Sequence, residues 1–133
     1  MIVLDASAIN AVLLREPRAE SVLRAIESED SLLAPALVFY EVANALALAV
    51  RRGRITGEEA SKCAQECIDL PWNLETHGSH AGMTRMIGHA LANGLTAYDA
   101  AFLELAESRR CPLVTLDAEL AKAARSRGIQ VLP

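Results

Sequence analysis

The chain has 133 residues, enough to bury a core without disulfide staples. Hydrophobic residues make up 52% and aromatics only 4%, which points to Ala- and Leu-rich helices and to some apolar surface that a partner covers. A net charge of −4 excludes a protein that grips nucleic acid by bulk positive charge, while leaving room for an acidic site inverted locally by a bound cation. In chain order, Ile2 to Leu4 read as a short apolar strand that meets the charge of Asp5 at once. A helix follows from about Ser7 and breaks before Pro17, and a second runs from about Arg18 to Glu27. Leu32 to Ala34 form another strand, closed by Pro35, and a long helix spans about Leu37 to Arg52 and stops at Gly53. Thr56 and Glu59 make a capping-box signature for a helix over about Gly57 to Asp69. Trp72 to Glu75 give a weak strand signal. A helix from about Ser79 to Ala92 ends at Asn93-Gly94, and another from Thr96 reaches Arg110. Leu113 to Leu116 read as a strand, Ala118 to Arg127 as a helix capped by Gly128, and Ile129 to Leu132 as the last strand.

No internal repeat, low-complexity tract or linker interrupts this pattern, so one α/β domain over 1–133 is expected. Strands separated by helices imply parallel pairing through right-handed crossovers, with helices on both faces of the sheet. The start MIVLD lacks the basic and long apolar regions of a signal peptide, and no apolar run approaches a membrane span. Cys63, Cys67 and Cys111 have no framework or metal-site spacing and read as reduced thiols. A cytoplasmic protein with no membrane partner is therefore expected.

In open parallel sheets, ligands bind outside the carboxyl ends of the strands, where strand order reverses. Two strands end there in a carboxylate, IVLD at Asp5 and LVTLD at Asp117. Each is also well placed as a plain helix N-cap. Glu41 lies in the helix VFYEVANALALAV. A helical wheel groups Phe39, Ala43, Leu46 and Val50 on one side and Glu41, Asn44, Ala45, Leu48 and Arg52 on the other. A solvated face explains a lone Glu, but this one is poor in charge, and Leu48 suggests that something packs on it. Asp99 stands three residues after Thr96, as the second half of a capping box would. Yet it shares its side of the helix with Leu103 and Ala106, where an unpaired charge is costly. If all four acids converge, charges about 6 Å apart repel by roughly 3 kcal/mol at an effective dielectric near 20. Protonation or a bound cation must offset that, and an all-oxygen ligand set selects Mg²⁺ or Mn²⁺.

Over essentially the whole chain these segments resemble the PIN-domain family and, within it, the VapC toxins. MIVLDASA is similar to the family's first-strand Asp followed by a small hydroxyl residue, here Ser7. ALVFYEVANAL resembles the Glu-bearing helix, with Asn44 three residues after Glu41; GLTAYDAAFLELA and CPLVTLDAEL resemble the third- and fourth-acid segments, placing Asp99 and Asp117, with Thr115 two residues before the latter. The resemblance implies a parallel five-stranded sheet in order 3-2-1-4-5 and Mg²⁺- or Mn²⁺-dependent endoribonuclease activity. It also implies a homodimer, and a VapB-like antitoxin whose tail lies in a groove near the acids. In that reading Asp5 and Asp99 anchor the metal most directly. Glu41 and Asp117 complete the site through water or a second ion, and water attacks phosphorus in line. Ser7, Asn44 and Thr115 are expected to hold carboxylates or waters in place.

Arg51, Arg52 and Arg54 are candidates for contacting RNA phosphates, with a solvated helix end favouring cations as the bland alternative. His77, His80 and His89 match no acid segment and are assigned surface or helix roles, and Trp72 is assigned to covering the core rather than to stacking a base. Two rivals remain. A non-catalytic RNA- or protein-binding module on the same fold is disfavoured by the full set of acids. A haloacid-dehalogenase-type phosphatase needs a second Asp two residues after the first, where Ser7 stands.

Overall fold

The computed structural model describes residues 1–27, 29–76 and 78–133; His77, assigned above to a surface or helix role, lies outside them. Strand β1 (Ile2–Leu4) leads through α1 (Ala6–Leu13) and α2 (Ala19–Ile26) to β2 (Leu32–Pro35). Helices α3 (Val38–Arg51) and α4 (Gly57–Ile68) lead to β3 (Trp72–Glu75). Then come α5 (His80–Asn93), α6 (Ala97–Arg109), β4 (Leu113–Val114), α7 (Ala118–Ser126) and β5 (Val131–Leu132). The strands form one parallel sheet in the order β3-β2-β1-β4-β5, the order implied by the resemblance. The last two strands are shorter than their sequence patterns suggest. Thr115 still donates its N–H to Leu132 C=O at 3.1 Å, while its hydroxyl and the Leu116 N–H make bonds at the sheet edge.

This order fixes where a site can form. The chain moves from β1 outward to β3, then returns past β1 to β4 and β5. Right-handed crossovers therefore place the helices of the first excursion on one face and those of the second on the other. The packing agrees: α1 meets α2, α3 and α4, whereas α6 meets α5 and α7. The reversal falls between β1 and β4, where Val3 pairs with Leu113 and Leu4 with Val114. Asp5 N–H continues the ladder to Val114 C=O at 3.0 Å, so both chains step out of the sheet side by side.

Beneath that edge, Ile2, Val3, Leu4, Leu33, Leu113 and Val114 are buried, as are Phe102, Leu103 and Ala106 from α6. Local signals hold the helix ends. The Thr56–Glu59 capping box is formed in both directions, at 3.1 and 2.7 Å. Gly94 closes α5 with φ +64°, a conformation that costs an L side chain energy. Trp72 covers the core as expected, its indole N–H donating to Cys67 C=O at 2.7 Å and its ring edge-on to Phe39. All three cysteines are free. Among the described residues no helix is long and apolar enough to cross a membrane.

The wheel for α3 needs correcting. The buried face is Val38, Val42, Leu46 and Ala49, and Ala43 is exposed. The helix is turned by most of one residue from the expected grouping because it packs against both α1 and α4. A helix this rich in Ala and Val offers many similar apolar stripes, and tertiary packing chooses among them. The turn matters for function, because it moves Glu41 from the far side to the margin of the buried face.

Candidate active site

Asp5 is the centre of the strand-end cluster. It caps α1, its side chain accepting the Ser7 N–H at 3.3 Å, so the bland N-cap reading is true as far as it goes. The same Oδ2 also accepts the Ser7 hydroxyl at 2.5 Å and the Thr115 hydroxyl at 2.7 Å. Ser7 Oγ in turn accepts Leu116 N–H at 2.9 Å, and Thr115 Oγ1 accepts Asp117 N–H at 3.0 Å. Ser7 and Thr115 thus hold Asp5 and join the ends of β1 and β4. All three hydrogen bonds to Asp5 end on Oδ2, which leaves Oδ1 for another ligand. Burial pushes the Asp5 carboxyl above its ordinary range, the two hydroxyls pull it back, and the charge of Asp99 adds to the rise.

Glu41 sits in the first turn of α3 with its Oε2 buried and without a hydrogen-bond partner. Its carboxyl is pushed up to about 7, mainly by burial, and further by the negative charges of Asp5 and Asp99. Asp99 is half-buried in the first turn of α6, where its Oδ2 accepts the Thr96 hydroxyl at 2.8 Å and its N–H donates to Thr96 Oγ1 at 3.1 Å. The capping box is incomplete, because the Asp99 side chain takes the hydroxyl rather than the backbone of the cap residue. Three acids from β1, α3 and α6 therefore share one field.

Asp117 follows Thr115 at the same sheet edge, but it is exposed and its Oδ1 caps α7 through Leu120 N–H at 2.8 Å. Asn44 is exposed on α3. Arg51, Arg52 and Arg54 cluster at the far end of α3, where Arg54 pairs with Glu16. Ten residues of helix separate Arg51 from Glu41, roughly 15 Å along the axis.

The donor set fits a hard divalent cation. It offers carboxylate oxygens, one of them buried and unpartnered, and a mutual repulsion that a cation removes. No three of the four acids bring their ligand atoms within 4.8 Å of one another. Among the described residues, the trio whose ligand atoms all lie within 4.8 Å is a different one, His89, Glu104 and Glu107. A spread arrangement suits Mg²⁺, which keeps several of its waters. Sequence reasoning missed that second trio: His89, assigned to a surface or helix role, does lie on a helix but is buried, whereas His80 is exposed. The available signal was the i, i+3 pair Glu104 and Glu107 on α6. A cleft of about 480 Å³ is lined by Pro35, Leu37, Met83, Arg85, Met86 and Arg109, among others, and by none of the four acids.

Thr115→Val tests the network. It leaves Asp5 buried with one hydroxyl fewer, and a loss of about 1–3 kcal/mol is expected in denaturant unfolding. An unchanged midpoint would show that Thr115 does not support Asp5.

The PIN domain family profile matches residues 2–126, so the chain belongs to that family, and a parallel sheet whose order reverses beside strand-end carboxylates agrees with it. Among its relatives, ribonuclease VapC3 of Pyrobaculum aerophilum is 38% identical over 121 residues, covering 91% of this chain and 92% of that protein. Ribonuclease VapC9 of Mycobacterium tuberculosis is 34% identical over 134 residues, covering 100% of this chain and 99% of that protein. The crystal structure of PAE2754 from Pyrobaculum aerophilum superposes with a TM-score of 0.73 at 27% identity, covering 98% of this chain and 82% of that one.

Proposed function

We propose that this protein is a Mg²⁺- or Mn²⁺-dependent endoribonuclease acting as the toxin of a VapBC-like pair, a single PIN domain working in the cytoplasm. The observation that carries the reading is the buried, unpartnered Glu41 Oε2 beside Asp5 and Asp99. The names of the relatives, VapC ribonucleases over almost their full lengths, support the reaction class. Asp5 and Asp99 hold the ion, with Glu41 and Asp117 completing the set. When bound, the ion supplies an activated water and offsets charge on the scissile phosphate. Ser7 and Thr115 orient Asp5, so that its free oxygen faces the site. Glu41 releases its proton as the cation binds. Arg51, Arg52 and Arg54 lie far from the acids and fit a contact with RNA phosphates upstream or downstream of the cut. Cleavage of an RNA panel that stops with EDTA and returns with Mn²⁺ is the expected result. No cleavage with any divalent metal would favour the non-catalytic module instead.

Partner contacts have their own support. Met83, Ile87 and Leu91 form an exposed stripe on α5 at 56%, 51% and 81% accessibility, spaced i, i+4, i+8 as on one helix face. We assign this stripe to the homodimer contact, and the cleft beside it to the antitoxin tail. Light scattering should give about twice the 14.3 kDa chain mass for the wild type and about one chain mass for Leu91→Glu. A Leu91→Glu protein that stays dimeric would rule out the stripe.

A further inference from the structure

We propose that His89, Glu104 and Glu107 form a second metal site, for Zn²⁺ or a similar borderline divalent ion, that pins α5 to α6. It stands apart from the acids at the strand ends, and its success or failure leaves the nuclease reading untouched.

His89 is 4% exposed, and its Nε2 is buried without a hydrogen-bond partner. Two carboxylate oxygens flank it, Glu107 Oε2 at 2.9 Å and Glu104 Oε2 at 3.8 Å. Glu104 Oε2 is likewise buried and unpartnered. The 2.9 Å approach lacks hydrogen-bond geometry, so neither oxygen serves as a plain acceptor for the ring. Ligands about 2.0–2.1 Å from a tetrahedral zinc ion lie roughly 3.3–3.4 Å from one another, and the two observed separations bracket that value.

The other oxygen of each acid is already fixed. Arg85 donates to Glu104 Oε1 at 2.7 and 2.9 Å, and Arg127 donates to Glu107 Oε1 at 2.9 Å. Metal-bound carboxylates are commonly held this way through their outer oxygen. These two guanidinium groups also cancel the charge of the two acids. An ion held mainly by charge, such as Mg²⁺, therefore gains little here. One that forms coordinate bonds to imidazole and carboxylate gains more, which points to zinc. Glu107 is 37% exposed and gives the ion a way in from solvent.

The test uses the full chain, treated with EDTA and carrying Asp99→Asn to silence the acid cluster. Titration calorimetry with Zn²⁺ should show about one ion bound, and Co²⁺ loaded in its place should give a visible absorption band that Zn²⁺ then bleaches. At a hundredfold excess over Kd the melting temperature should rise by roughly 10 °C. Adding Glu107→Gln, at a half-exposed position, should weaken binding at least tenfold and remove most of that rise, and His89→Gln should remove both. Circular dichroism verifies that each variant is folded. No Zn²⁺ uptake, or uptake indifferent to Glu107→Gln, overturns the proposal. So does a Glu107→Gln protein that melts earlier while neither it nor its parent responds to Zn²⁺, because that identifies a protonated His89 bridging two acids.

Discussion

Asp99→Asn is expected to abolish RNA cleavage while leaving the metal-free protein at least as heat-stable as the wild type. The asparagine carbonyl can accept the Thr96 hydroxyl that Asp99 Oδ2 accepts now, and the cap from Asp99 N–H to Thr96 Oγ1 is a backbone bond that the change does not touch. What disappears is one negative charge from a field that already pushes Glu41 and Asp5 upward. Without metal, that loss relieves repulsion. With metal, it removes an anchor for an ion whose stabilisation of the transition state is worth several kcal/mol, so a fall of at least about 1,000-fold in cleavage rate is expected. Melting in EDTA and single-turnover cleavage in Mn²⁺ check the two halves. A marked drop in melting temperature without metal would make Asp99 a structural cap, and undiminished cutting would remove it from the site. Asp5→Asn is a poorer probe, because Asp5 is buried and serves the fold and the site together.

The second large effect is on pH. Glu41 keeps its proton up to about 7 in the folded, metal-free protein, against an ordinary value of 4.5. Between those values the folded state holds more protons than the unfolded state, so Glu41's share of stability falls as pH rises and levels off above about 7. Because the group is only partly buried, this share is about 1–2 kcal/mol rather than the full value of such a shift. Buried Asp5 adds a contribution of the same sign. A divalent cation reverses the preference, since it needs the ionised carboxylate. At subsaturating Mn²⁺, cleavage should climb about tenfold per pH unit below 7 and then flatten. Glu41→Gln should flatten the slope in EDTA melting curves, leaving only the share that Asp5 contributes. If the wild-type minus Glu41→Gln stability difference instead grows between pH 5 and 7, Glu41 is not held protonated.

Much of this was legible in the sequence because the informative signals are local. Asp5 and Asp117 each follow an apolar run directly, Thr96 announces the helix that carries Asp99, and short runs between helices force parallel pairing. The turn of α3 was not legible: with Ala or Val at so many positions, only contact with α1 and α4 decides which stripe is buried. The distance of Arg51, Arg52 and Arg54 from Glu41 was implicit in their numbering, since helix length converts sequence separation into ångströms. The His89 trio was hidden for another reason. Its members come from two helices whose facing sides depend on how α5 folds back on α6, and no periodicity within either helix records that.

The stitch between Ser7, Thr115 and Asp5 spans the two strands at which the sheet reverses, so the candidate centre inherits its shape from strand alignment rather than from loop conformation. Side chains alternate along a strand, and sliding β4 by one position past β1 would turn Thr115 to the opposite face and carry Asp117 with it. A misaligned copy therefore assembles no working centre. For the toxin role proposed above, such errors in folding are born harmless.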